Sequence, residues 1–360
     1  MEATPRCRHF GSCGGCAAQD TAYAGQVRRK EAALAALLGR PVPVEPSPHA
    51  YGYRTRMDYV FAWGKLGLRK KGDPRGVLDL EECPLLPDRA FEIVLKVKEA
   101  IRRHGIPPYS YVSHKGYLRY VVVRAAPVTG ESMLTFLTNG DDPAVRVLLD
   151  DAEAWAESVV WAVTERRADI SFGEIREVRG RDWIEETIGP VRYRFGPNSF
   201  FQANPWVTER LYAHVADRCE GRVLDLFCGV GGIALFAAAR GVESVAGADN
   251  VEEAIAFARH NAEANGLRNV QFDTADAGAF LKDRSCETLI LDPPRAGLGG
   301  KTLRRVLEST PRRIVYVSCN PKVLARELPQ FAGYALADLR GFDLFPQTPH
   351  VEVVATFDRA

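Results

Sequence analysis

Two patterns of apolar and polar positions divide this chain. From about Val191 onward, short apolar runs alternate with longer stretches of helical spacing. The runs are Arg222–Phe227, Ser244–Ala248, Val270–Asp273, Thr288–Leu291 and Arg313–Val317, each with the length of a strand buried on both faces. Between them, Gly232–Ala239 and Val251–Asn265 have helical patterns, and Gly266 follows the second as a helix-ending glycine. Strand, loop, helix, strand in repetition predicts an α/β fold. Its sheet is parallel and doubly wound with right-handed crossovers, and ligands lie beyond the carboxyl ends of the strands. The last run, His350–Phe357, has no helical stretch before it and predicts an antiparallel strand closing the sheet edge.

The first half reads differently. Gly25–Gly39 and Ala90–His104 have helical spacing, with Gly39 and Gly105 placed to end them. Pro41–Pro48 holds four prolines and predicts an extended linker. Tyr53–Phe61, Gly67–Arg69, Tyr117–Arg124, Ser132–Leu137 and Asp169–Val178 predict strands, and Asp142–Val163 a helix. The expected organisation is an α+β domain over residues 1–190 followed by a Rossmann-like domain over residues 191–360.

Composition narrows the class. A chain of 360 residues suits two domains, and 46% apolar with 26% charged residues excludes disordered, fibrous and coiled-coil proteins. The apolar runs are too short to span a bilayer, and Met1–Phe10 lacks the apolar core of a signal peptide. A cytoplasmic, monomeric protein is expected. Net charge is +1, which neither demands nor excludes nucleic acid. Its distribution is uneven. Tyr51–Gly76 has seven basic residues against Asp58 and Asp73. Ile101–Arg124 has five and no acid, interleaved with Tyr109, Tyr111, Tyr117 and Tyr120. Such stretches suit a phosphate backbone with unstacked bases, or else a solvated sheet surface. Asp141–Thr187 is acidic, with 13 acids against six bases.

Three of the eight cysteines crowd the N-terminus as Cys7, Cys13 and Cys16, and Cys83 stands in Glu82-Cys83-Pro84. In a cytosolic chain this points to metal before disulfide. Four thiolates suit zinc or an iron–sulfur cluster, and the spacing does not choose between them.

The chemistry-bearing motifs fall at strand ends. Asp225-Leu-Phe-Cys-Gly-Val-Gly-Gly232 leads from the first strand into a helix, and Asp249 ends the second strand, where a carboxylate binds ribose hydroxyls. Asp225 precedes the turn and would repel a pyrophosphate, which disfavours a nicotinamide dinucleotide. It suits the ammonium of S-adenosylmethionine. The fourth strand ends in Asp292-Pro-Pro-Arg295, and the fifth in Ser318-Cys-Asn-Pro321, where a thiol at the crevice is a candidate nucleophile.

Together with Ser199-Phe-Phe-Gln-Ala-Asn204 and Phe345-Pro-Gln-Thr-Pro-His-Val-Glu352, these motifs occur in the order found in the RNA uridine-5-methyltransferases that carry a [4Fe–4S] cluster, and the chain resembles that family from Cys7 to Glu352. The resemblance implies a cluster on Cys7, Cys13, Cys16 and Cys83. It implies S-adenosylmethionine contacts from Gln202, Phe227, Gly229, Gly232, Asp249 and Asp292. Cys319 becomes the nucleophile and Glu352 the general base, with Phe200 and Arg295 toward the RNA. At Gly232 relatives often have Asn, so only backbone contact is expected there. The layout is most similar to the short 23S rRNA branch and its archaeal relatives, lacking the extra oligonucleotide-binding barrel. This makes 23S rRNA the favoured substrate and the T-loop of tRNA the next. Two alternatives are an RNA-binding module with a degenerate site and a 5-methylcytidine-forming enzyme, although the latter usually has a thiol in the fourth-strand motif.

Overall fold

A computed structural model describes residues 2–282 and 284–360. The chain forms two compact units. The first comprises the described residues of Met1–Ala22, His49–Glu186 and Gly196–Asn198; the second comprises Tyr23–Pro48, Thr187–Phe195 and Ser199–Ala360.

The second unit is built on an eight-stranded sheet. Its spatial order is Val44–Glu45, Tyr334–Phe342, Glu352–Arg359, Arg313–Ser318, Thr288–Leu291, Arg222–Leu226, Ser244–Asp249 and Val270–Thr274. The last five in this order are mutually parallel. Their sequence order reverses between Arg222–Leu226 and Thr288–Leu291, which opens a crevice at the carboxyl ends. Both faces of the central strands are buried, which explains the unbroken apolar runs.

Glu352–Arg359 is antiparallel, as expected, but it does not close the edge. It lies between Arg313–Ser318 and Tyr334–Phe342, antiparallel to both. Tyr334–Phe342 went unread because six of its first seven residues are exposed or half-buried, so no apolar run marks it. The proline stretch is more than a linker, since Val44 and Glu45 pair in parallel with Gly341 and Phe342.

The domain boundary differs from 190/191 in three ways. The division falls within the strand Ile184–Ile188, Tyr23–Pro48 belongs to the second unit, and Gly196–Asn198 belongs to the first. A buried polar latch explains the second difference. Lys30 Nζ donates to Asp343 Oδ1 at 2.6 Å and to the Phe345 carbonyl at 3.1 Å, and Tyr23 Oη donates to Asp343 Oδ2 at 3.0 Å. Gln26 and Gln347 exchange two hydrogen bonds at 2.9 Å, across 321 positions of sequence. Gln347 has φ of +67°, a strained conformation for a residue with a side chain, and this pairing fixes it.

In the first unit a seven-stranded sheet runs Asp73–Asp79, Lys65–Lys70, Arg56–Ala62, Leu118–Ala126, Glu131–Thr138, Ser158–Val163, Glu174–Gly180. The expected helix over Asp142–Val163 is corrected. Only Arg146–Ala152 is α-helical, after a short 3-10 turn, and Ser158–Val163 is a strand. All six of its residues are buried against parallel-paired Met133–Thr138, so tertiary packing decides what its apolar run left ambiguous.

Lys30→Ala should destabilise the second unit by about 3 kcal/mol in urea denaturation, because Asp343 is left buried without its cation. A loss below about 1 kcal/mol would show that the latch contributes little.

Candidate active site

Five of the six residues expected to contact S-adenosylmethionine, Gln202, Phe227, Gly229, Gly232 and Asp292, line one cleft in the second unit, together with Phe200, Tyr212 and Asp225. The turn after Arg222–Leu226 shapes it. Phe227, Gly229 and Gly231 all have positive φ, at +65°, +54° and +88°. Glycine permits this at two of the positions; at Phe227 it is strain held by the fold. Asp249 is not among the lining residues. Its Oδ2 accepts from Gly229 N–H at 3.1 Å and its Oδ1 from Val251 N–H at 2.9 Å, so it fixes the turn.

The closeness at Gly232 has a local cause. A Cβ there would stand 2.4 Å from the Tyr212 hydroxyl, so Tyr212 takes the space that a side chain at position 232 would need. Sequence reasoning missed Tyr212, whose place on the helix Pro205–Ala216 reads only as core spacing.

Asp225 is buried behind the turn. Its Oδ2 caps the helix Gly232–Ala239 by accepting from Ala234 N–H at 3.1 Å. Its Oδ1 is buried and has no hydrogen-bond partner among the described residues. Burial, then the nearby Asp292 and Asp249, push its carboxyl far above the usual range. Burial likewise pushes Asp292 up to about 7. Carboxyls raised in this way fit a cationic ligand, whose charge restores the ionised form.

Cys319 and Glu352 meet at the same rim by register. Ser318 lies opposite Val353 in the antiparallel pair, so the first residue of one strand stands beside the last of the other. Glu352 is buried and is pushed up to about 8 by burial and by Asp292, with Arg295 opposing. Cys319 is half-buried and is pushed up to about 11 by burial, then by Glu352 and Asp292, again with Arg295 opposing. The Arg295 loop is tied from both ends. Asn320 Nδ2 donates to the Arg295 carbonyl at 3.2 Å, while buried Glu327 accepts from Leu298 N–H at 3.1 Å and from Tyr316 Oη at 2.7 Å. Phe200 is 71% exposed beside the cleft.

In the first unit, Cys7, Cys13, Cys16 and Cys83 are electrostatic neighbours. Burial raises all four thiols, and Cys7 and Cys16 are raised further by the other cysteines. Gly15 N–H donates to Cys13 Sγ at 3.3 Å, and Gly14 N–H donates to the Arg69 carbonyl at 2.9 Å, which docks the cysteine segment on the strand Lys65–Lys70. Among the described residues, no three His, Cys, Asp or Glu side chains are arranged to hold a single metal ion, so the iron–sulfur lobe is not shown.

The basic, tyrosine-rich stretch Ile101–Arg124 is not a stacking surface. Tyr109, Tyr117 and Tyr120 are buried, as are Arg119 and Arg124. They serve the core, and the solvated-or-stacking choice posed by the sequence has neither answer here. No helix among the described residues is long and apolar enough to cross a membrane.

The family described as tRNA (Uracil-5-)-methyltransferase matches residues 273–359, and the methyltransferase small domain matches residues 206–314. The chain is 36% identical over 98% of its length to the tRNA (uracil(54)-C(5))-methyltransferase of Pyrococcus furiosus, covering 85% of that protein. It is 33% identical over 98% of its length to an uncharacterized RNA methyltransferase of Thermotoga maritima, covering 84% of it. The crystal structure of Pyrococcus abyssi tRNA (uracil-54, C5)-methyltransferase with S-adenosyl-L-homocysteine is similar with a TM-score of 0.84 and 34% identity, over 96% of this chain and 86% of that one.

Alkylation of Cys319 by iodoacetamide, followed by peptide mass spectrometry, should keep accelerating with pH beyond about pH 9, where an ordinary thiol levels off. Glu352→Gln removes a carboxylate that charges above about pH 8 and raises the thiol, so Cys319 should then react faster at about pH 9. A plateau by pH 9, or no change in the variant, would contradict this electrostatic coupling.

Proposed function

The chain belongs to the RNA uridine-5-methyltransferase family, and from that premise we propose roles for its residues and a target for its reaction. The enzyme uses S-adenosylmethionine to methylate carbon 5 of uracil in RNA. Carbon 5 is a poor nucleophile until carbon 6 is attacked. In our reading the Cys319 thiolate adds through Sγ to carbon 6, and the electron pair of the double bond moves toward carbon 5 and the adjacent carbonyl. Arg295 and backbone donors hold the negative charge that develops on that oxygen. Carbon 5 then takes the methyl group from the sulfonium, leaving S-adenosylhomocysteine. Glu352 removes the proton still on carbon 5, the double bond reforms, and Cys319 leaves as thiolate.

The observation that carries this reading is the antiparallel register that sets Glu352 beside Ser318 and Cys319, next to Asp292 of the cleft. A base raised to about 8 is near the neutral range in which proton transfer is most effective. Gln202, Phe227, Gly229, Gly232, Asp249 and Asp292 bind S-adenosylmethionine in this account, and Asp249 also fixes the turn. The free Oδ1 of Asp225 suits its ammonium group. Phe200 stacks near the flipped target base.

We further propose that Cys7, Cys13, Cys16 and Cys83 hold a [4Fe–4S] cluster. The mutual closeness of the four thiols and the Gly15 N–H aimed at Cys13 support it. When bound, the cluster supplies metal–thiolate bonds tying Cys83 to the N-terminal segment, a structural role that needs no electron transfer. Cys16→Ala should therefore lower the melting temperature of anaerobically purified protein and abolish its iron–sulfide absorbance. An unchanged spectrum would remove Cys16 as a ligand.

The RNA we propose is tRNA, at the T-loop uridine. The relatives whose names print a substrate act on tRNA, and they lend no support to the 23S rRNA preference expected from the sequence. Labelled S-adenosylmethionine given separately with tRNA and 23S rRNA transcripts should yield 5-methyluridine in the tRNA tube. Label in the rRNA tube alone would overturn the target, and label in neither would overturn both. Cys319→Ala should lose activity by roughly three orders of magnitude or more, whereas Glu352→Gln should leave RNA covalently attached.

A further inference from the structure

An exposed phenylalanine in the first unit is held by a backbone tied down on both sides. Phe172 is 48% exposed on a cavity of about 550 Å³ also lined by Val163, Ile170 and Arg166. Before it, Ser171 Oγ donates to Asp58 and accepts from Arg56 Nη2 at 3.3 Å. After it, the Gly173 carbonyl accepts from Asn198 Nδ2 at 3.2 Å. A Cβ at Gly173 would stand 2.3 Å from the Val163 carbonyl, so the chain is pressed against the sheet at that point. An apolar ring presented to water from a backbone fixed this firmly is arranged for contact, since neither residue beside it is free to turn it inward.

The facing loop is also shaped from below. Arg119 is fully buried, and its guanidinium donates to the carbonyls of Thr164 at 3.1 Å, Arg166 at 2.6 Å and Ala168 at 2.7 Å. The Tyr109 ring lies under it at 4.5 Å. A rigid fork bonded to three carbonyls sets the path of residues 164–168. That path leaves Arg166 and Arg167 exposed, and neither makes an ion pair among the described residues. Acids of the surrounding acidic stretch are largely engaged: Asp169 with Arg69, Glu174 with Arg176, and Glu177 with Arg146 and Arg179. The exposed carboxylate nearest in sequence is Glu165, one charge against two.

We propose that Phe172, Arg166 and Arg167 form a second nucleotide subsite, at which an unstacked base of the substrate RNA lies on the Phe172 ring and its phosphates meet the two guanidiniums. A planar face and the Arg166 guanidinium at one cavity, with exposed Arg167 next in the chain, match a single-stranded nucleotide rather than a duplex, and every base offers the ring a partner. The subsite contains none of the residues assigned to the methyl transfer, so it acts on RNA affinity. It rests on the reading that the substrate is RNA, with tRNA as the proposed target.

The test uses the full-length protein and the transcript that the unaltered enzyme methylates. Phe172→Ala should weaken RNA binding about tenfold and raise KM for RNA by the same factor. Affinity for S-adenosylhomocysteine and kcat at saturating RNA should not change. Phe172→Trp should restore binding, and its added emission should be quenched by RNA. Arg166→Gln with Arg167→Gln should reduce the slope of log affinity against log salt by roughly 1.4 to 1.8. Unchanged RNA affinity in Phe172→Ala, or a failure of Phe172→Trp to restore it, would overturn the subsite. If the unaltered protein methylates 23S rRNA and not tRNA, the target reading fails, and the same comparison on 23S rRNA still decides the subsite.

Discussion

The arrangement depends on one antiparallel strand set between Arg313–Ser318 and Tyr334–Phe342. Parallel strands collect their carboxyl ends at one rim, so residues that follow strands meet there. A residue that begins a strand reaches that rim only if its strand runs the other way. Glu352 does so, and the pairing of Ser318 with Val353 fixes its height beside Cys319. Shifting the register by one residue would turn every side chain of that strand to the opposite face. The elements outside it protect this register. Tyr334–Phe342 pairs along its other side, and Val44–Glu45 covers that strand in turn. The latch of Lys30, Gln26 and Tyr23 onto Asp343 and Gln347 holds the loop that leads into Glu352.

Electrostatics follow from this geometry. Asp225, Asp292 and Glu352 are brought to one rim with little water, and all three hold protons more firmly than free carboxyls do. Such a site is costly when empty and favours a ligand that carries positive charge. The sulfonium and ammonium of S-adenosylmethionine fit that demand, whereas a pyrophosphate would oppose it. The same fields raise Cys319, so its thiolate forms most readily once cationic charge has entered. In this account a cationic ligand would therefore favour the Cys319 thiolate.

Much of the catalytic unit was legible because strands buried on both faces leave continuous apolar runs, and because reactive residues follow them directly. The turn from Asp225 to Gly232 and the ends at Asp292 and Cys319 could be placed on that basis. What stayed hidden has physical reasons. Tyr334–Phe342 is mostly half-exposed and Val44–Glu45 is two residues long, so neither leaves a pattern. Ser158–Val163 follows the helix Arg146–Ala152 after only a short turn, and its apolar run reads as a continuation of it. The partnership of Gln26 with Gln347 spans 321 positions, and no local signal reports it. In Ile101–Arg124, basic and aromatic residues alternate much as they would in a nucleic-acid surface, yet Tyr109 and Arg119 are core. The exposed aromatic with free guanidiniums lies instead at Phe172, inside a stretch whose net charge is acidic. Local pairing, not composition, decides which charges remain available.

The central claim is that Cys319 forms the bond to uracil carbon 6 while Glu352 clears the proton from carbon 5. RNA carrying 5-fluorouridine at the target tests it most directly, because fluorine cannot leave carbon 5 as a proton does. Enzyme, S-adenosylmethionine and the fluorinated RNA should give a stable adduct, and nuclease digestion with peptide mass spectrometry should place the methylated fluorouridine on Cys319. An adduct on another residue, or none while ordinary uridine RNA is still methylated, would contradict the account.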